Sequence, residues 1–168
     1  EQKEAIKKYH ESAIGKFDLF VPFIEQGIKW LDDCGKLGYI CSNQFMKRDY
    51  GVKLRDFILK NCSIQQIVDF GDSGVFRDVT NYPCIIVVER EKRDAHIVKC
   101  VEVFSQKPNL ITEIGKNISR KIYRDECYVI FEMQQSLLRE GETWALAPKN
   151  VSEVFNKISR KSTLLLRD

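Results

Sequence analysis

The sequence predicts an α/β fold: a mostly parallel sheet with helices on both faces, finished by an antiparallel hairpin. Three observations carry this. Between residues 18 and 70, apolar segments of strand length alternate with segments of helical periodicity. The strand segments are continuous apolar runs, the pattern of strands buried on both faces. Two later strand segments are joined only by the charged turn 90–95, too short for a parallel crossover and suited to an antiparallel return.

Taken in order, residues 3–13 read as a short polar helix. From Asp18, a plausible N-cap, Leu19, Phe20, Phe23, Ile24, Ile28 and Leu31 recur at helical spacing. Gly35 stands where a left-handed helix C-cap is needed, and 37–41 follows as a short, fully buried strand. A second helix over 49–60 places Tyr50, Leu54, Phe57 and Ile58 on one face, with Asn61 as its stop. Residues 64–70 form the next strand, and 84–89 with 96–103 form the hairpin. Residues 105–109, carrying Pro108, read as a linker. Beyond it come a basic stretch at 116–124, strands at 128–131 and 143–146, and a helix at 152–159. Asn150 and Glu153 resemble a capping box for that helix, and Val154, Phe155 and Ile158 give it an apolar face. This last part has too few apolar positions for a core of its own. The expected organisation is therefore one unit over 1–104 and the start of a second over 105–168.

Composition narrows the class. With 168 residues, 43% hydrophobic and 30% charged, the chain falls outside disordered, collagen-like and membrane-embedded proteins. No uninterrupted apolar stretch exceeds that of 84–88, against the roughly 18 residues a spanning helix needs, and Glu1 to Glu4 begin no signal-peptide core. No membrane association is expected, and the expected location is cytoplasmic. Six scattered cysteines, without a CxxC pair, read as reduced thiols, and no metal site is expected. Residues 1–103 balance their charges, so the whole excess of +3 falls in 104–168. A phosphate-binding face and an ordinary solvated surface both account for it.

Self-contained catalytic machinery is scarce. There is no GxGxxG or Walker loop, no GxSxG and no HExxH, and neither His10 nor His96 has a partner nearby in sequence; His96 reads as a surface residue at a strand start. Asp69 with 89–92 approaches a nuclease pattern, but Lys92 follows Glu89 by three positions rather than two, which puts them on opposite faces of a strand. The segment that stands out is 69–88, DFGDSGVFRDVTNYPCIIVV. There a strand ends in an acidic, glycine-bearing loop presenting Val75 and Phe76, at the edge where α/β sheets place ligands. Phe76 either stacks on a flat ligand such as a nucleobase or folds back onto the core.

The series FDLFVPFIEQGIKWL, GKLGYICSNQFMKRDYGVKLRDFI and IVDFGDSGVFRDVTNYPCIIVVER resembles the later half of the catalytic domain of gamma-class N6-adenine DNA methyltransferases. The resemblance is greatest to type IIG restriction-modification proteins and Taq-type methyltransferases. A helix beginning D-L-Y/F with F-I-E, a strand with P/S-N-x-F-L/M, a helix with Y-G-x-x-L-R and a strand ending D-F-G before V-F all occur in the family's order, over roughly 15–90. Trp144 and the segment 155–158 ahead of Leu164 resemble the start of a Taq-type specificity domain.

The resemblance implies the second half of a Rossmann-like S-adenosylmethionine-dependent methyltransferase sheet, acting on an adenine flipped out of double-stranded DNA. It implies that Phe76 forms the second aromatic wall against the flipped base and that Phe23 packs on the adenine ring of the cofactor. Asn43 and Phe45 match a strand-end block lining the pocket, with structural support as the competing reading, and Lys47, Arg48 and Arg77 fall near DNA-facing loops. The family's N-P-P-Y/F loop and its cofactor-binding glycine motif do not occur in these residues. The expectation is a fragment that begins after the catalytic loop, is inactive alone and has the missing N-terminal half of its polypeptide as partner. Two other readings stay open: a non-catalytic nucleic-acid-binding module, and a structural half-domain.

Overall fold

The computed structural model describes residues 2–74, 82–93 and 95–148. The chain runs α1 (Gln2–Tyr9), α2 (Phe20–Lys29), β1 (Lys36–Ser42), α3 (Gln44–Lys47), a 3₁₀ turn (Asp49–Gly51), α4 (Val52–Asn61), β2 (Ser63–Asp69), β3 (Pro83–Glu89), β4 (Ile97–Val103), α5 (Leu110–Asn117), β5 (Tyr123–Arg124) and β6 (Tyr128–Gln134). The six strands form one sheet in the order β1-β3-β2-β4-β6-β5.

Side chains alternate across the sheet, so the inner strands β2, β3, β4 and β6 each feed two cores. Ile67, Val98, Cys100 and Phe131 join Ile24 and Ile28 of α2 and Leu54 and Ile58 of α4 on one face. Their sequence neighbours Val68, Val101 and Ile130 point the other way, onto Leu110 and Ile114 of α5. This double burial is why the strands read as continuous apolar runs. Each fully buried aliphatic or aromatic side chain contributes about 1.5–3 kcal/mol.

The α/β class holds, but the sheet is mixed rather than mostly parallel, with β2 and β4 its one parallel pair among the described residues, and the expected hairpin does not form as a pair. β3 and β4 run in opposite senses, yet β3 is inserted antiparallel between β1 and β2, while β4 pairs parallel with the far side of β2. The connection 90–96 needs to pass over only one strand, about 10 Å at two strand spacings, so a short turn suffices without adjacency. β1 is likewise not the fully buried strand expected. It is the sheet's edge, with alternating exposed and half-buried positions.

Local details differ too. Asp18 does not cap α2; its carboxylate accepts the Tyr50 hydroxyl at 2.8 Å, and Leu19 occupies the cap position. The left-handed residue after α2 is Cys34 (φ 62°) rather than Gly35. Gly35 is required for space, since a Cβ there would lie 2.8 Å from the Asp32 carbonyl oxygen. His96 is half-buried, its Nε2 lying 2.9 Å from the Ile64 carbonyl oxygen, and so is not a free surface residue. Residues 143–146 form no strand; they are irregular chain with Trp144 buried. β6 pairs along the whole of β4, from Ile97↔Gln134 to Val103↔Tyr128, so the sheet continues past residue 104. The helix expected at 152–159 lies outside the described residues. All six cysteines are free thiols, with burial pushing Cys62 and Cys100 up to about 12. No described helix is long and apolar enough to cross a membrane.

The two edges of the sheet are unequal. β5 is two residues long and carries Arg124, a short and charged edge of the kind that resists pairing with other chains. β1 is seven residues long, has Lys36 as its one charge, and exposes Ile40. The isolated 168-residue chain is therefore expected to self-associate at high concentration, as seen by sedimentation velocity. A well-behaved monomer under those conditions contradicts the assignment of β1 as an open edge.

Candidate functional site

β1, β2 and β4 point the same way, so Ser42, Asp69 and Val103 end at one edge of the sheet. β3 starts there at Pro83. Loops at this carboxyl edge are where open α/β sheets bind ligands.

Asn43 staples the edge together. Its main-chain N–H donates to the Tyr82 carbonyl at 2.7 Å, and its Nδ2 donates to Asp69 Oδ1 at 2.8 Å. The same Asp69 oxygen accepts the Gly71 N–H at 2.9 Å, and the Asn43 Oδ1 accepts from Gln44 Nε2 at 3.1 Å. Asn43 is 1% exposed with its amide satisfied at both ends, so it fixes the ends of β1, β2 and the chain entering β3.

Phe45 is fully buried, edge-on to Phe20 (6.3 Å, 70°) and to Trp144 (5.9 Å, 74°). It lines no surface, and of its two readings the packing is that of structural support. Lys47 and Arg48 are exposed and, with Gln44 and Tyr82, line a shallow groove of about 310 Å³. Arg48 Nε donates to Gln44 Oε1 at 3.0 Å, which orients the guanidinium, and no carboxylate pairs with either cation among the described residues. Phe76 and Arg77 lie outside the described residues.

Phe23 stands elsewhere, on the outer face of α2, 63% exposed. It shares an apolar depression of about 200 Å³ with Ile6, Leu19, Pro22 and Trp30. The structure thus groups Asn43, Lys47 and Arg48, sets Phe45 beneath them, and gives Phe23 a separate surface. Asp69 and Glu89, the carboxylates of the near-nuclease pattern, each end their strand, and because the strands are antiparallel they lie at opposite edges of the sheet: Asp69 is opposite Cys84, whereas Glu89 is opposite Ser63 and pairs with Arg93 at 2.9 Å.

Sequence reading passed over Glu102. It is the register partner of Asp69, and its carboxyl is raised above the usual range by burial and by the Asp69 charge, with Lys47 opposing. A charged residue inside the apolar run 97–103 was its available signal. It also passed over Gln44 and Tyr82, which carry no motif, and gave no role to Arg55, the last residue of Y-G-x-x-L-R and a charged residue on the apolar face of α4.

The arrangement is that of a methyltransferase sheet. The chain superposes on a putative class I S-adenosylmethionine-dependent methyltransferase from Listeria monocytogenes with a TM-score of 0.51 at 19% identity, covering 70% of this chain and 38% of that one. It also superposes on the type IIG restriction endonuclease BpuSI with a TM-score of 0.56 at 15% identity, covering 74% and 15%. Sequence then narrows the class. Residues 1–76 match the Eco57I restriction-modification methylase family. The type II restriction enzyme and methyltransferase RM.Eco57I of Escherichia coli is 28% identical over 159 residues, 95% of this chain. The type II methyltransferase M.BstVI of Geobacillus stearothermophilus is 40% identical over 112 residues, 63% of this chain. The chain is thus similar in sequence to type II restriction-modification methyltransferases, and it spans 14% and 20% of the length of these two.

Proposed function

We propose that this chain is the later part of the catalytic domain of a restriction-modification DNA methyltransferase that moves a methyl group from S-adenosylmethionine to N6 of an adenine flipped out of double-stranded DNA. The observation that carries the reading is the match over residues 1–76 laid on the stapled carboxyl edge: the matched segment holds Phe23, Asn43, Phe45, Lys47, Arg48 and Phe76. In this reading the specificity domain expected over 105–168 opens beyond β6, whose pairing with β4 keeps residues up to 134 in the catalytic sheet, and the protein works in the cytoplasm with the rest of its polypeptide.

Each side chain then has a task. S-adenosylmethionine supplies the electrophilic methyl group. Phe23 suits its adenine ring, because its own ring is exposed on an apolar depression. Lys47 and Arg48, which form no ion pair with a carboxylate among the described residues, meet backbone phosphates beside the extruded base. Asn43 and Asp69 hold the ends of β1 and β2 so that the loop carrying Phe76 starts from a fixed point. Phe76 supplies the second stacking wall. The adenine amino group is a weak nucleophile, so what these residues contribute is orientation toward the methyl group.

The test is Phe76→Ala in the full-length polypeptide. Loss of base stacking, about 1–3 kcal/mol for an aromatic contact, predicts a fall in methylation efficiency of roughly ten- to a hundredfold. Duplex affinity should change far less, because phosphate contacts dominate it, and Tyr or Trp should preserve more activity than Leu. Activity and melting temperature falling together, or full activity in the alanine variant, rejects the pocket role. A full-length protein that binds duplex without transferring methyl groups favours the non-catalytic nucleic-acid-binding module instead.

A further inference from the structure

The loop 43–48 has a second face, turned away from the groove, and a strap of chain beyond β6 is fastened to it. The Gly141 N–H donates to Asp56 Oδ1 at 2.8 Å. The Trp144 N–H donates to the Met46 carbonyl at 2.8 Å, and the indole packs edge-on to Phe45. Arg55 joins the two segments. It is 2% exposed, and its Nη1 donates to the carbonyls of Phe45 at 2.6 Å and Arg48 at 2.9 Å. Its Nε donates to the carbonyl of Glu142 at 2.8 Å.

Every acceptor of this guanidinium is a main-chain carbonyl, and among the described residues no carboxylate pairs with it. Burying an unpaired charge is costly, and a Met or Leu would fill the same space on α4 at no such cost. What the guanidinium alone provides is a rigid planar fork that reaches several acceptors at once. Here it holds two segments distant in sequence in one fixed relation.

We propose that Arg55 is a positioning residue that locks the loop 43–48 to the strap 141–144, so that the chain following β6 sets where Lys47 and Arg48 meet DNA. This rests on the reading of the chain as part of a DNA methyltransferase. The lock gives that part of the polypeptide a mechanical hold on the phosphate-facing loop without touching the substrate.

The test uses the full-length polypeptide with Arg55→Lys, whose compact ammonium has three donors at one point and cannot span the separate positions of Nη1 and Nε that reach the three carbonyls. The KM for duplex DNA is expected to rise about tenfold while kcat changes less than about threefold, the scale on which displaced positioning groups act. Hydrogen exchange at the Trp144 amide should accelerate by at least about tenfold, with that at Ile67 in β2 unchanged. Asp56→Ala, which frees only the Gly141 end and leaves Arg55 in place, should move both readouts the same way by a smaller factor. It keeps the proposal open to test if Arg55→Lys does not fold. Unchanged KM with faster exchange at Trp144 overturns the functional link. Faster exchange at Ile67 alongside Trp144, with kcat and KM following the melting temperature, reduces Arg55 to a general stabiliser and overturns the proposal. A wild-type protein that transfers no methyl group rejects the methyltransferase reading instead, and the exchange measurements then decide the lock by themselves.

Discussion

Gly51→Ala is expected to destabilise the fold by about 3 kcal/mol, the upper range for forcing an extra carbon into a packed site. Gly51 has an ordinary backbone conformation (φ −84°), so the requirement is for space. A Cβ there would stand 2.1 Å from the Phe45 carbonyl oxygen and 2.7 Å from its carbonyl carbon. Main chain cannot step aside as a flexible side chain does, and this oxygen is already held by Arg55. Chemical denaturation measures the loss. Gly38→Ala is the control: a Cβ on β1 meets nothing within 4 Å, and its cost should stay within about 0.5 kcal/mol. Equal effects at the two positions would sink the steric explanation.

Glu25→Gln should be of similar size, about 3 kcal/mol, because it removes a buried acceptor of charge-assisted hydrogen bonds. The Glu25 side chain is fully buried in α2 yet accepts from Lys29 Nζ at 2.5 Å, from the Ser12 N–H at 2.8 Å and from the Ser12 hydroxyl at 2.5 Å. It pins the chain between α1 and α2 to the helix that carries Phe23. Burial pushes this carboxyl up, but the hydrogen bonds from Lys29 and Ser12 outweigh it and hold the group below its usual value of 4.5. The unfolded chain therefore takes up the proton first as the pH falls. The advantage of wild type over Glu25→Gln should stay constant above about pH 5.5 and shrink as the pH drops through and below the ordinary carboxylate range. Melting curves of both proteins from pH 7 to pH 3 measure it. A difference that grows toward acid contradicts the charged, buried carboxylate.

Some of this was legible in the residues and some was not, for physical reasons. The helical stripe from Phe20 to Ile28 and the apolar runs of β2, β4 and β6 are local patterns, and they gave elements close to those found. Strand adjacency is not local. A turn of the length of 90–96 fits a true hairpin as well as a jump over one strand, so the insertion of β3 left no mark on its own sequence. The run Trp144-Ala145-Leu146 looked like a strand because it is apolar, but Trp144 is apolar for Phe45 and the loop above it. The Cys34–Gly35 pair misled because glycine answers to two needs, positive φ and lack of room, and here only the second applied. At the site, Asp69 and Arg55 stand inside the quoted blocks D-F-G and Y-G-x-x-L-R, but what they do, like what Glu102 does, depends on partners that only folding brings near. The roles of Phe76 and Arg77 rest on sequence.

The place of β3 between β1 and β2 also bears on how the sheet is assembled. Before residues 83–89 arrive, β1 and β2 confront each other across a vacancy one strand wide, each with an unmatched row of amide and carbonyl groups, and they cannot zip together without destroying the register that pairs Cys41 with Cys84 and Val68 with Ile85. Chain made first must wait for chain made later, a contact pattern that slows folding and leaves sticky borders open meanwhile. During synthesis the hazard is greatest until residue 89 has left the ribosome. β3 closes it as a keystone closes an arch, from the middle.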